Sequence, residues 1–138
     1  MFNEKVYEDR LASWAVFRGN LTDLDSALFH VRDLYNKAEL HSQRYDPWDY
    51  ANWPTPWTLV FENKYCLFTK TLGMCYTLQL GLALNDIDIL IVKDSQLQTQ
   101  YIGKIDNYIL GLNDDIHKIN DVIDNLSILN SYKLTQTN

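Results

Sequence analysis

The apolar residues of this chain change their spacing near Asp86, and that change limits the fold more than any other feature. Before it, apolar side chains recur at three- and four-residue intervals, the period of a helix. After it, Ile87, Ile89 and Ile91 alternate, as in a strand with one buried face. Helices first and strands later predict an α+β fold rather than an alternating α/β one.

The helical part resolves into three segments. Tyr7, Leu11, Trp14 and Phe17 share one face of a helix predicted over residues 4–18, with Asn3 as its N-cap and Gly19 just past its end. A second helix is expected from Thr22 or Asp23, with Leu24, Leu28, Val31, Leu34, Tyr35 and Ala38 as its stripe. The short connection predicts an antiparallel helical hairpin. Thr55-Pro56 then has the form of an N-cap followed by proline at the first helical position. A long third helix is expected from Pro56, apolar round much of its girth and therefore central to the fold. Residues 74–84 also alternate, which suits a strand broken off at Gly73; the helix is the favoured reading.

Three strands follow: one from Ile87, a second from about Thr99 to Ile105, and a third from Tyr108 to Leu112. Lys93-Asp94-Ser95-Gln96 and Asp106-Asn107 supply the turns of an antiparallel meander. Asn113 or Asp114 then caps a predicted C-terminal helix striped by Ile116, Ile119, Ile123 and Leu126. From about Ser131 a loose polar tail is expected. The expectation is thus one α+β domain over residues 1–138: a helical hairpin and a central helix packed on a three-stranded antiparallel meander, with a C-terminal helix.

Between the second and third helices lies the chain's most unusual stretch, residues 46–57. It holds all three prolines and three of the four tryptophans. Prolines fix φ and push the preceding residue toward extended geometry, so this is a rigid corner rather than a linker. Tyr45, Trp48, Tyr50, Trp53 and Trp57 carry apolar surface that needs a partner. That partner is the chain's own core, a foreign surface such as a protein or a sugar, or both, since Trp and Tyr tolerate water at one end.

Catalytic signatures are absent from the sequence. His30, His41 and His117 fall in different predicted elements without metal-ligand spacing. Cys66 and Cys75, nine residues apart on one helix, would lie ~13 Å apart on opposite faces, which rules out a mutual disulfide or shared metal. Both are expected to be small buried side chains. Asp86, Asp88, Asp94 and Asp106 gather at strand ends and turns. They are weak candidates for Mg²⁺ or Ca²⁺ ligands, and equally the ordinary acids of turns. No glycine-rich phosphate loop is present; Gly103 and Gly111 suit bulges or close backbone approach. No cofactor is expected.

The formal net charge of −6 argues against direct binding to nucleic acid, whose backbone is held by Lys and Arg. The residues from 84 onward carry eight acids against four bases, the more acidic part for its length. There is no signal-peptide pattern and no apolar run long enough for a membrane span, so a soluble protein with no membrane partner is expected.

Residues 53–60 (Trp-Pro-Thr-Pro-Trp-Thr-Leu-Val), Glu62-Asn63-Lys64-Tyr65-Cys66 and residues 72–80 (Leu-Gly-Met-Cys-Tyr-Thr-Leu-Gln-Leu) carry a resemblance. So do residues 10–14, 35–38, Asp46-Pro47-Trp48 and residues 105–110. In these the chain resembles a family of small uncharacterised proteins of large tailed, myovirus-like marine bacteriophages. That family has Glu at the position of Thr58, where it would complete a capping box with Thr55. The resemblance implies a phage context, in the virion or in the host cytoplasm during infection, and no activity. The expected function is a non-enzymatic structural or assembly protein acting through contacts with other phage proteins, or with copies of itself as a homo-oligomer. A soluble inhibitor of a host protein is the alternative, and a metal-dependent nuclease using the Asp cluster is a third reading.

Overall fold

The computed structural model describes residues 1–134. Five α-helices and five strands follow in the order α1 (Tyr7–Gly19), α2 (Leu24–Tyr35), α3 (Pro56–Glu62), α4 (Leu67–Leu82), β1 (Ile87–Lys93), β2 (Thr99–Ile105), β3 (Tyr108–Leu112), β4 (Asp115–Lys118), α5 (Ile119–Val122) and β5 (Ser127–Lys133). Short 3-10 turns occupy Tyr50–Asn52 and Ile123–Asn125. The architecture is α+β. Among the described residues no helix is long and apolar enough to cross a membrane.

All strand pairs are antiparallel, in the spatial order β4-β3-β2-β1-β5. The sheet therefore has five strands rather than the expected three. Consecutive strands run outward from β1 to β4, and the last strand returns to the free side of β1.

Helix α4 is the centre. Phe68, Leu72, Cys75 and Leu78 are fully buried, between α2 (Ala27, Leu28, Val31, Tyr35) and the sheet residues Ile87, Ile89, Ile105 and Leu110. Residues 74–82 are helical, and Gly73 lies inside the helix instead of ending it. Its missing side chain makes room for Tyr35, whose ring a Cβ there would approach to 2.7 Å. The far face of the sheet holds a smaller cluster of Leu90, Val92, Ile102, Ile109 and Leu112, covered by Ile119, Val122 and Leu126.

Several sequence expectations need correction. The long helix from Pro56 is two helices. Asn63 takes a left-handed conformation (φ 52°) and ends α3, and Tyr65 bridges to Leu40, so the chain is extended before α4 begins at Leu67 with Cys66 as its N-cap. Helix α1 starts at Tyr7 after Val6, not after Asn3. Helices α1 and α2 do not form a hairpin; α1 packs on α3 and α4, and α2 on α4 and the β3–β4 edge. The predicted C-terminal helix is replaced by β4, the short α5, a 3-10 turn and β5. Asn113 and Asp114 both have positive φ (53° and 59°), the type I′ geometry of a two-residue hairpin, and they fold β4 back onto β3. Ser131, Tyr132 and Lys133 belong to β5 and Leu134 is buried; residues 135–138 of the expected tail lie outside the described residues.

Two buried polar arrangements tie the helical layer together. Arg10 is 7% exposed. Its guanidinium donates to the carbonyls of Val60 (2.9 Å), Phe61 (2.8 Å) and Glu4 (2.9 Å), two of them at the carbonyl end of α3. The Thr77 hydroxyl donates to Gly73 O (2.7 Å) and accepts from Trp14 Nε1 (3.0 Å) and from the Tyr35 hydroxyl (3.1 Å). One threonine thus links α1, α2 and α4.

Candidate functional site

The rigid corner is fastened to the rest of the fold by hydrogen bonds that begin within it. The Asp46 carboxylate accepts from Trp48 N at 2.9 Å, an Asx turn that sets the start of the segment. Trp53 Nε1 donates back to Pro47 O (3.1 Å), and the Tyr76 hydroxyl of α4 donates to Pro54 O (2.8 Å). The Thr55 hydroxyl caps α3 by accepting from Thr58 N (3.2 Å). Thr58, where the resembled family has Glu, lies hydroxyl to hydroxyl with Thr55 at 3.0 Å.

The aromatic side chains divide by burial. Trp53 is half-buried, edge-on to Phe68 (5.2 Å between centroids), Tyr50 (4.9 Å) and Tyr132 (5.0 Å). Trp57 packs edge-on to Trp14 (5.5 Å), and the Arg18 guanidinium lies 4.2 Å above the Trp14 ring. Burial holds the Arg18 pKa below its usual value. Tyr45 donates to Glu62 at 2.6 Å, and burial with the neighbouring carboxylate pushes its pKa up to about 12. Trp48 and Tyr50 are exposed, at 49% and 37%. The segment is thus core on one side and open on the other.

The open side continues onto the β5 edge. Tyr50 stacks on Tyr132 (5.2 Å, rings within 8° of parallel). The Tyr132 hydroxyl donates to Trp48 O at 3.2 Å. Leu134 N donates to Ile87 O (2.8 Å), so alternation turns the main-chain groups of Ser131 and Lys133 away from β1. Both are engaged: Ser131 N donates to Asn130 Oδ1 (2.8 Å), and Lys133 O accepts from the Tyr50 hydroxyl (2.6 Å). A bulge breaks the β1–β5 register at Ile91/Val92. This half of the edge is therefore blunted against strand addition, while Ile128 and Leu129 at the other end stay exposed.

The acidic candidates do not converge. Asp86 pairs with Lys133 (2.6 Å), a contact that lowers its pKa. Asp88 lies in register between Lys104 and Lys133. Asp94 accepts from the main-chain N–H groups of Gln96 and Gln98 and from the Gln100 amide, bonds that also lower its pKa. Asp106 occupies a left-handed turn position at φ 53°. Asp86 and Asp106 border one shallow cavity, whereas Asp94 sits at the opposite end of β1, about 25 Å along the strand. Among the described residues no three His, Cys, Asp or Glu side chains are grouped to hold a metal ion.

Both thiols are free and buried. Cys66 caps α4, its sulfur 3.4 Å from the Thr69 hydroxyl, which accepts from Cys66 N at 2.9 Å. Cys75 faces Gly103 of β2 within the core, and burial pushes its thiol up to about 12. His30 is exposed on α2, His41 is 4.0 Å from Glu39, and His117 Nε2 is 3.0 Å from Leu112 O.

No protein-family model and no curated protein matches the sequence. Among solved structures the chain is similar to Legionella pneumophila LapG, with a TM-score of 0.68 and 12% sequence identity, over 92% of this chain and 74% of that one. The EGTA-treated form of the same protein gives the same values. At this identity the likeness establishes a shared fold.

Proposed function

We propose that this chain is a structural or assembly protein of a tailed bacteriophage and works through protein–protein contacts centred on Trp48. The phage setting rests on the resemblance in the tryptophan–proline segment. The contact role rests on one observation: Trp48 is half exposed while its main chain is held on both sides, its N–H by Asp46 and its C=O by Tyr132. A large aromatic ring presented on a fixed backbone loses little conformational freedom on binding, which is the property of an interface anchor. Tyr50 and Tyr132 extend the same surface.

The test combines particle composition with one substitution. Mass spectrometry of purified virions should find the protein at a fixed copy number. Trp48→Ala should lower incorporation at least tenfold while leaving the melting temperature close to that of the parent chain. Abundance in infected cells with absence from particles would overturn the structural role and direct the search to a host target. Unchanged incorporation of Trp48→Ala would overturn the placement of the contact.

A further inference from the structure

We propose that a cleft between β2 and β3, separate in its lining residues from the contact proposed for Trp48, receives a basic side chain, arginine in preference to lysine, from a partner polypeptide. The paired register of these strands ends at Gly103–Leu110. Beyond it the strands separate, and side chains replace the ladder. Gln100 Oε1 accepts from Asn113 N (2.8 Å), and its Nε2 donates to Asn113 Oδ1 (2.9 Å) and Asp94 Oδ2 (2.7 Å). The Tyr101 carbonyl, on the β3 side and close to Gly111, accepts from the Thr71 hydroxyl of α4 at 2.8 Å. A cavity of about 210 Å³ fills the split. Gly111 keeps it open: its φ is +99°, and a Cβ there would come within 2.8 Å of the Thr71 hydroxyl.

The groups left over in this cleft define its chemistry. Gln100, Thr71 and Asp94 are committed to the bonds just described, and the next acid along, Asp115, pairs with Arg32 at 2.8 Å. Among the described residues no hydrogen bond or ion pair engages the carboxylate of Asp114, the hydroxyl of Thr99 or the side-chain amide of Gln98, all of which border the cavity. No Lys or Arg lines it, and Leu67 supplies an exposed apolar wall. A carboxylate, a carbonyl acceptor and an apolar flank match a guanidinium on an aliphatic stem, whose several N–H donors reach more than one acceptor at once.

The experiment is an NMR titration of the full chain with N-acetyl-arginine methylamide, and with the corresponding citrulline compound as a neutral isostere. Saturable shifts at the Gly111, Asn113 and Asp114 amides are expected, with a dissociation constant on the order of millimolar. Citrulline should bind at least tenfold more weakly. Asp114→Asn should weaken the arginine compound at least tenfold without changing the fold, because Asn tolerates the left-handed backbone at this turn. Trp48→Ala should bind the arginine compound as the parent does, so this site and the proposed interface fail separately. Absence of saturable shifts, or equal binding of citrulline, would overturn the proposal.

Discussion

Gly103 lies directly beneath Cys75, so close that any Cβ at that position would overlap the sulfur. Gly103→Ala should therefore cost about 1–3 kcal/mol through overpacking. In a Cys75→Ala background the space is vacated, and the double variant should be more stable than the sum of the single changes by about 1 kcal/mol. Urea unfolding of the four chains measures this, and strict additivity would show that the contact is not strained. Tyr35 gives a second expectation at this scale. Burial pushes its pKa up to about 12 from 10.0. The folded value exceeds the unfolded one, so the stabilisation is fully present below pH 10 and is lost as pH rises from 10 to 12. Tyr35→Phe should be less stable at pH 7 but should show a flatter alkaline limb in denaturation profiles recorded across that range. These residue-level features differ in how far they can be read from sequence. A glycine in a strand already points to close approach. By contrast, a threonine joining three helices, or an arginine capping a helix fifty residues away, depends on contacts that no local spacing encodes.

The same difference operates among the elements. Strands β2 and β3 coincide with the residues read from the sequence, because turn signals bound them, although both strands bury side chains on both faces of the sheet. Strand β5 has no such signature: most of its residues are exposed at the sheet edge, so its sequence shows no apolar alternation. The helix expected over residues 113–126 is not formed because Asn113-Asp114 turns a hairpin as readily as it caps a helix. Apolar residues spaced for a helix follow it, and pairing to β3 decides the outcome. The turn itself is testable. Asn113 holds φ 53°, a conformation that an alanine adopts at a cost of about 1–2 kcal/mol. Asn113→Ala should lower stability by that amount, with the largest loss of hydrogen-exchange protection at β4; unchanged protection there would mean that the hairpin does not depend on the turn. Of the candidate site, the aromatic corner was legible as a cluster. Its division into buried and exposed rings was not, because that depends on β5 lying where it does.

At the scale of the whole molecule the sheet separates two cores of unequal size. The helices on one side bury the larger, and a stretch of only eight residues, 119–126, covers the other. The change of period at Asp86 was enough to give the α+β class, since it reports which local geometry buries the apolar residues. It carried no information on strand order, which is set by partners distant in sequence. That order has a consequence for synthesis and truncation. Strand β1, with the run Ile87-Asp88-Ile89-Leu90-Ile91-Val92, is flanked by β2 on one side and by the sequence-last strand on the other. Until residues beyond Ser127 emerge and dock, one side of the most apolar strand in the sheet presents bare main-chain donors and acceptors. A chain interrupted between Val122 and Ser127 holds every helix and the whole meander, yet offers other unfinished copies a sticky seam, and its fate in the cell is settled by aggregation and proteolysis rather than by loss of a contact surface.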